Sequence, residues 1–567
     1  MKEQFKDYLY QRPDVDSVTR ELALGTQKIK DAADYQQYKQ AIDETAKISD
    51  TLETAGTLVM IRHHIDTTDV FYEKEQQFWD EHDPIFEDAK AKLITAILDS
   101  PFCAQLKTEY PETFFLTAEN KLKAFDEKII GDLQEENRLI NEYNKVTAQA
   151  KIEFQGKTLT LAALSAYVEN PDESVRKAAF AAYWGFMESQ EDNLDEIYDK
   201  LVKVRDRIAK TLGFDNFTQL GYVRMNRMGY GQAEVAQYRQ EILKDVVPVC
   251  QKLYAAQKAR IGKETLESFN EHYLFESGNP TPQHDKDTMV TIAQTMYQEM
   301  SDNLGEFFDF MVAHDLLDLE AKAGKSPGGF CTYIRNYRSP FIFSNFNGTS
   351  ADVDVLTHEA GHAFQVYMSR DIKPGDSFMP TYDAAEIHSM SMEFLAWPYM
   401  ERFFGPDTEK YFYYHLASAV QFLPYGVLVD HFQHEVYNNV DMTPAQRKAT
   451  WRALEQQYLP HKNYQSVPFL EKGTWWFRQL HVFNYPFYYV DYTLAQVVAL
   501  QFWLRLQNGD ASALADYEKI CKLGGTKSFS EIVKDANLSS PFAAGCLTDV
   551  MKKVDAFLEQ SPMKTAK

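Results

Sequence analysis

No run of eighteen or more apolar residues occurs in this 567-residue chain, so no membrane-spanning helix is expected. Cysteine is scarce. Cys103, Cys250, Cys331, Cys521 and Cys546 stand far apart, without a C-x-x-C pair or the spacing of a disulfide framework. Reduced thiols in a cytoplasmic setting are the expectation, with packing as the default role of each, Cys331 included. Basic residues are in deficit: 59 Lys and Arg face 83 Asp and Glu, a formal charge of −24. That balance repels a phosphate backbone and an acidic lipid surface, so neither nucleic acid nor membrane is expected as a partner. The opening MKEQFKDYLYQRPDVD lacks the apolar core of a secretory signal. Internal repeats, low-complexity tracts, a G-x-S-x-G elbow and a phosphate-cradling glycine loop are also missing.

Helical periodicity fills most of the chain. Tyr35 to Ile65 and Asp69 to Leu98 carry apolar residues at threes and fours with charges between them. The piece EFQGKTLTL, within residues 151–170, alternates around a glycine and reads as a hairpin. A soft boundary is placed there, giving a helical N-terminal lobe over 1–155 and a catalytic region over 156–567. SPGGFCTYIRNYRSPFIFSNFNGTS (326–350) is aromatic and β-rich, with two or three short strands. The expected fold is mainly α, with one small sheet just before the motif described next.

ADVDVLTHEAGHAFQVYMSR (351–370) follows that sheet, with Thr349 or Ser350 as a helix cap and Asp352 and Asp354 in the first turn. On a helix His358 and His362 share one face and can grip one zinc ion. Glu359 lies beside the metal rather than on it, placed to take a proton from a zinc-activated water. Zinc needs a third protein ligand. A metzincin pattern wants Gly at 365 and His at 368, where Gln365 and Met368 stand. Patterns with a Glu 19–20 residues past the second His meet Thr381 and Tyr382. The first good candidate is Glu386, with Glu393 two turns on along the same helical face, holding a ligand histidine by its other nitrogen. A capping box from Asp383 to Glu386 competes locally for Glu386. His388 points elsewhere, as a structural or cleft-lining residue. His431 and His434 form HxxHE rather than HxxEH, so a second metal site is rejected.

HVFNYPFYYVDYTLAQ (481–496) holds His481, Tyr485, Tyr488, Tyr489 and Tyr492. Phenol and imidazole N–H groups can stabilise the oxyanion of amide hydrolysis. Tyr485, Tyr489 and Tyr492 share a face if helical; an aromatic core stripe is the plainer reading.

HEAGHAFQ (358–365), the Glu386 and Glu393 pair and HVFNYPFYYVDY (481–492), in this order and spacing, resemble the thimet oligopeptidase and oligoendopeptidase F family of zinc peptidases, in its Pz-peptidase-like branch. The resemblance implies two helical lobes around a deep substrate channel and one Zn2+ per chain on His358, His362 and Glu386. It implies Glu359 as base, and His481 with the tyrosines as substrate and oxyanion ligands. Val482-Phe483-Asn484 stands where better-known members have a Gly-rich loop, so Tyr488 and Tyr489 both stand for one place. GGFCTYI (328–334) becomes a strand edge onto which a peptide could add, with Gly328, Gly329 and Phe330 in contact with it; a structural hairpin is the alternative. The function implied is endopeptidase cleavage of short oligopeptides. A zinc dipeptidyl carboxypeptidase, or an inactive zinc-containing peptide-binding protein, are the alternatives.

Overall fold

A computed structural model describes residues 3–566 apart from Ala323 and Pro327. In chain order, the elements that matter here are helices α1 (Val15–Asp31), α2 (Tyr35–Ile65), α3 (Val70–Asp99) and α4 (Ile130–Ala148). Strands β1 (Ile152–Phe154) and β2 (Lys157–Leu159) come next, then α5 (Glu191–Thr211). Strands β3 (Leu317–Glu320), β4 (Phe330–Ile334) and β5 (Ser339–Phe346) precede α6 (Ala351–Ser369) and α7 (Tyr382–Leu395). The chain continues through α8 (Thr408–Asn438), α9 (Leu480–Asn484), α10 (Tyr489–Gln507) and α11 (Ala513–Leu523). Among the described residues no helix is long and apolar enough to cross a membrane.

The chain forms two compact units, each gathered from three stretches. The first takes Met1–Leu122, Pro282–Gly405 and Arg505–Leu538. Its opening helices start where the sequence supplies caps: Asp14 accepts from the Ser17 N–H, Asp34 from Gln37, and Asp69 from Phe71 and Tyr72. Leu52 and Val59 of α2 bury against Trp79 and Phe86 of α3. The first unit also holds the three-stranded sheet, ordered β3-β5-β4. β5 runs antiparallel to β4, with Cys331 opposite Ile342, and parallel to β3, with Leu317 opposite Ile342. Apolar β5, with Phe341, Ile342 and Phe343 all buried, fills the centre. β3 has the sequence LDLE, too short and too charged to announce a strand; its pairing comes from β5, not from its own pattern. The sheet feeds directly into α6. Neither Thr349 nor Ser350 caps that helix with its side chain. The Asp352 carboxylate instead accepts from the Asn347 and Gly348 N–H groups, tying the loop back to the first turn.

The second unit takes Lys123–Thr281, Pro406–Leu504 and Ser539–Lys567. The EFQGKTLTL segment forms the expected hairpin, β1 antiparallel to β2, as a second small sheet. Its helical core contains buried arginine ion pairs, among them Arg205 with Glu136, Arg227 with Asp491, and Arg239 with Asp430. Each puts a guanidinium against a carboxylate that would be costly to bury alone.

Candidate active site

Two groups of chemically capable residues result, one in each unit. In the first unit His358, Glu359 and His362 project from α6, and Glu386 and Glu393 from α7. The four-residue spacing brings the two imidazole centroids within 5.1 Å. Glu386 Oε2 lies 3.4 Å from Nε2 of His358 and 3.4 Å from Nε2 of His362. Donors arranged tetrahedrally around zinc at its usual bond lengths stand about 3.4 Å apart. The three donor atoms lie within 4.8 Å of one another, the one such group among the described residues. Two imidazoles and a carboxylate are a zinc donor set, and this spacing fits the ion.

His358 Nδ1 donates to Glu393 Oε1 at 2.6 Å, which turns Nε2 toward Glu386. Burial raises the Glu386 carboxyl, but His362 and His358 outweigh it and hold the group well below its usual range. Ser389 Oγ donates to Glu386 Oε2 at 3.0 Å. Asp383 and Glu386 form no capping box: the residue that enters α7 is Thr381. Glu359, 7% exposed, has its carboxyl raised by burial against the pull of His358 and His362. Burial, then the Glu359 charge, keeps the Cys331 thiol protonated.

The glycines at the start of β4 are close to this group. Gly328 takes φ +93°, and a Cβ on Gly329 would lie 3.4 Å from Val355 and 3.8 Å from Glu359 Oε1. Phe330 stacks on Phe343 across the β4–β5 pair. A further glycine, Gly361 in the middle of the motif, decides how α6 meets α7. A Cβ there would sit 2.5 Å from the His388 carbonyl oxygen and 2.7 Å from Ser389 Cα. The helices touch backbone to backbone, so the carboxylates of α7 reach the histidines of α6. His388 itself is fully buried, with Cys521 Sγ 3.5 Å from its Nδ1 and Tyr517 donating to its carbonyl.

In the second unit the tyrosines do not lie along one helix. α9 ends at Asn484 and α10 begins at Tyr489, with a turn between them. Phe487 makes that turn at φ +68° and is fully buried. Its N–H donates to Gln433 Oε1 at 3.0 Å, its carbonyl accepts from Arg227, and its ring lies 5.1 Å from that of His434. The turn folds the chain back on itself, so rings gather around His481: Tyr489 at 4.8 Å, Tyr488 and Tyr492 at 5.8 Å, Tyr485 at 6.3 Å. Tyr485 lies outside both helices and is 55% exposed. Burial pushes the Tyr489 phenol up to about 12, so it stays a proton donor at neutral pH. Gln479 was not singled out from the sequence. Its amide lies 2.9 Å from His481 Nδ1, and its oxygen accepts from the Tyr425 hydroxyl at 2.6 Å. A glutamine two residues before a histidine gives no sequence signal; only the fold shows the contact.

The chain matches the model of peptidase family M3 over residues 166–551 and that of the peptidase M3 N-terminal domain over 5–125. A solved structure titled Pz peptidase A with inhibitor 2 is 45% identical, covers 99% of this chain and 100% of its own, and superposes with a TM-score of 0.95. An oligoendopeptidase F homolog of Borreliella burgdorferi is 23% identical over 384 residues, 66% of this chain and 63% of that protein. This chain therefore spans less than two thirds of that relative's length. One from Mycoplasma pneumoniae is 22% identical over 518 residues, 81% of this chain and 79% of its own. The chain belongs to peptidase family M3.

Proposed function

We propose that this chain is a zinc-dependent metalloendopeptidase that hydrolyses internal bonds of short oligopeptides, with one Zn2+ held by His358, His362 and Glu386. The observation that carries the reading is the 3.4 Å spacing of Glu386 Oε2 from both histidine Nε2 atoms, with buried Glu359 beside them. Zinc, when bound, supplies Lewis acidity, lowering the pKa of water and polarising a carbonyl. Glu359 accepts the proton of the attacking water and hands it to the leaving amine. Its raised affinity for a proton, caused by burial, suits both halves of that transfer. Glu393 orients His358 through Nδ1. His481, Tyr485, Tyr489 and Tyr492 are assigned as hydrogen-bond donors to the oxyanion and substrate, with Tyr488 in substrate binding. Gly328, Gly329 and Phe330 are assigned to the substrate backbone, since β4 pairs with β5 alone within its sheet. The restriction to short peptides is taken from the relatives named oligoendopeptidase. A cytoplasmic location agrees with five unpaired cysteines, four of them buried.

Mass spectrometry of a peptide mixture, digested with and without a chelator, tests the reading. Internal cleavages that stop when zinc is removed are expected. Products that are uniformly C-terminal dipeptides would instead make the enzyme a dipeptidyl carboxypeptidase, and no cleavage would leave a binding protein. Glu359→Gln is expected to keep zinc and lose at least a hundredfold in kcat, within the range of general-base catalysis. Activity within tenfold of wild type would remove Glu359 from the role of base.

A further inference from the structure

Arg478 is an exposed arginine of the second unit. Arg205, Arg227 and Arg239 each meet a carboxylate. Among the described residues Arg478 meets none within 4 Å; its contacts are the faces of Tyr183 at 5.6 Å and Trp475 at 5.4 Å. Aromatic faces steady the flat side of a guanidinium and leave its N–H edge available to a planar anion.

Arg478 lines a recess of about 130 Å³ with His272, Leu164, Phe180, Tyr183 and Trp184. His272 lines it with exposed surface, and its side chain makes no hydrogen bond among the described residues. Desolvation by the surrounding protein, then the Arg478 charge, lowers that part-exposed imidazole, and its neutral form still offers an N–H. Leu164, Phe180 and Trp184 give the recess apolar wall beside the guanidinium. The recess is also close to the catalytic donors assigned above. Arg478 is three residues before His481 and lies near enough to Tyr489 for its charge to act on that phenol.

We propose that Arg478 and His272 form a carboxylate-binding subsite, which takes the free C-terminus or an acidic side chain of a bound peptide. Arg478 grips the carboxylate through two N–H groups, His272 adds a third donor, and the aromatic wall takes the carbon next to the acid. This subsite rests on the peptidase reading, because its ligand is the substrate.

The test compares four forms of one peptide: free acid, C-terminal amide, and each with an internal Glu exchanged for Gln. Binding is read by calorimetry on zinc-loaded Glu359→Gln protein, and cleavage separately on wild type. The form bearing the recognised carboxylate is expected to bind about tenfold to hundredfold tighter than its neutral counterpart, the range of a charge-assisted hydrogen bond. A difference between acid and amide assigns the C-terminus; a difference between Glu and Gln assigns the side chain. Arg478→Gln is expected to bring that ratio to near one, and Arg478→Lys to keep part of it. The four-peptide comparison needs no change at Arg478, so a misfolded Arg478→Gln protein leaves the proposal open to refutation. Equal binding of all four peptides, no binding of any, or a ratio that survives Arg478→Gln in folded protein overturns the subsite. The expected ratio in binding, without cleavage by wild type, overturns the peptidase reading and leaves the subsite standing.

Discussion

Gly361→Ala is the smallest change that should disturb the metal group without touching a ligand. The new methyl would lie 2.5 Å from the His388 carbonyl oxygen, where ordinary contact begins near 3.4 Å. Helix α7 must therefore retreat by about 0.9 Å, or α6 must bend. Overpacking of this kind costs about 1–3 kcal/mol of stability. The same retreat carries Glu386, two residues from His388, away from both histidines. Its 3.4 Å spacing would open past 4 Å, outside what one tetrahedral ion accepts. A loss of about tenfold to hundredfold in zinc affinity follows, the scale seen when the support of a ligand is removed. Competition with a chromophoric chelator reads the affinity, and urea unfolding reads the stability. Gly185 supplies the control: it is also helical, and a Cβ there meets nothing within 4 Å. Gly185→Ala should leave zinc affinity unchanged and stabilise by about 0.5–1 kcal/mol. If Gly361→Ala keeps zinc affinity within twofold of wild type, the close approach of the helices is not what places Glu386.

Glu393→Leu removes the acceptor of the His358 Nδ1 proton and should weaken zinc by about tenfold to hundredfold; an unchanged chelator titration would detach Glu393 from the metal. Arg227→Met removes the guanidinium that faces the buried Asp491 carboxylate, at a cost of about 3–5 kcal/mol in urea unfolding. Adding Asp491→Leu should recover most of that loss, and failure to recover would mean the pair is not the cause. Burial lowers the His431 imidazole to about 4, below the usual value near 6.5 for a histidine in an unfolded chain. Between those values the unfolded chain binds more protons, so this group costs stability as pH falls from about 6.5 toward 4. The urea midpoint should be lower at pH 5 than at pH 7, with a shallower decline in His431→Gln. A decline of equal slope in that variant would refute the assignment for His431.

The helices and the cluster of His358, His362 and Glu386 were legible because their signals are local. Spacing of four sets His358 and His362 on one face, and Asp14, Asp34 and Asp69 announce helix starts. The reach of Glu386 to the histidines could be named from chain separation, although the geometry depends on Gly361, whose role no spacing rule reveals. The tyrosine group was legible in membership and not in shape. Reading Tyr485, Tyr489 and Tyr492 as one helical face misses Phe487, whose positive φ and buried ring break the helix. A phenylalanine carries no turn signal; Gln433 and Arg227, far away in sequence, hold it in place. β3 was invisible for a related reason, since β5 recruits it. The boundary read near residue 155 follows chain order, and chain order does not tell which distant stretches pack together.

That packing sets a timetable for synthesis. His358, Glu359, His362, Glu386 and Glu393 have all left the ribosome well before Arg505–Leu538, the stretch that completes their unit. Tyr517 and Cys521, on α11 in that late stretch, close over His388 of the helix that carries Glu386. At about 5–20 residues per second the interval lasts about 7 to 30 seconds. During it α6 and α7 lack the helix that packs against both. The nascent chain thus carries every proposed metal ligand while the support for one of them is still unmade. The proposed centre, built this way, matures only once residues 505–538 have been made.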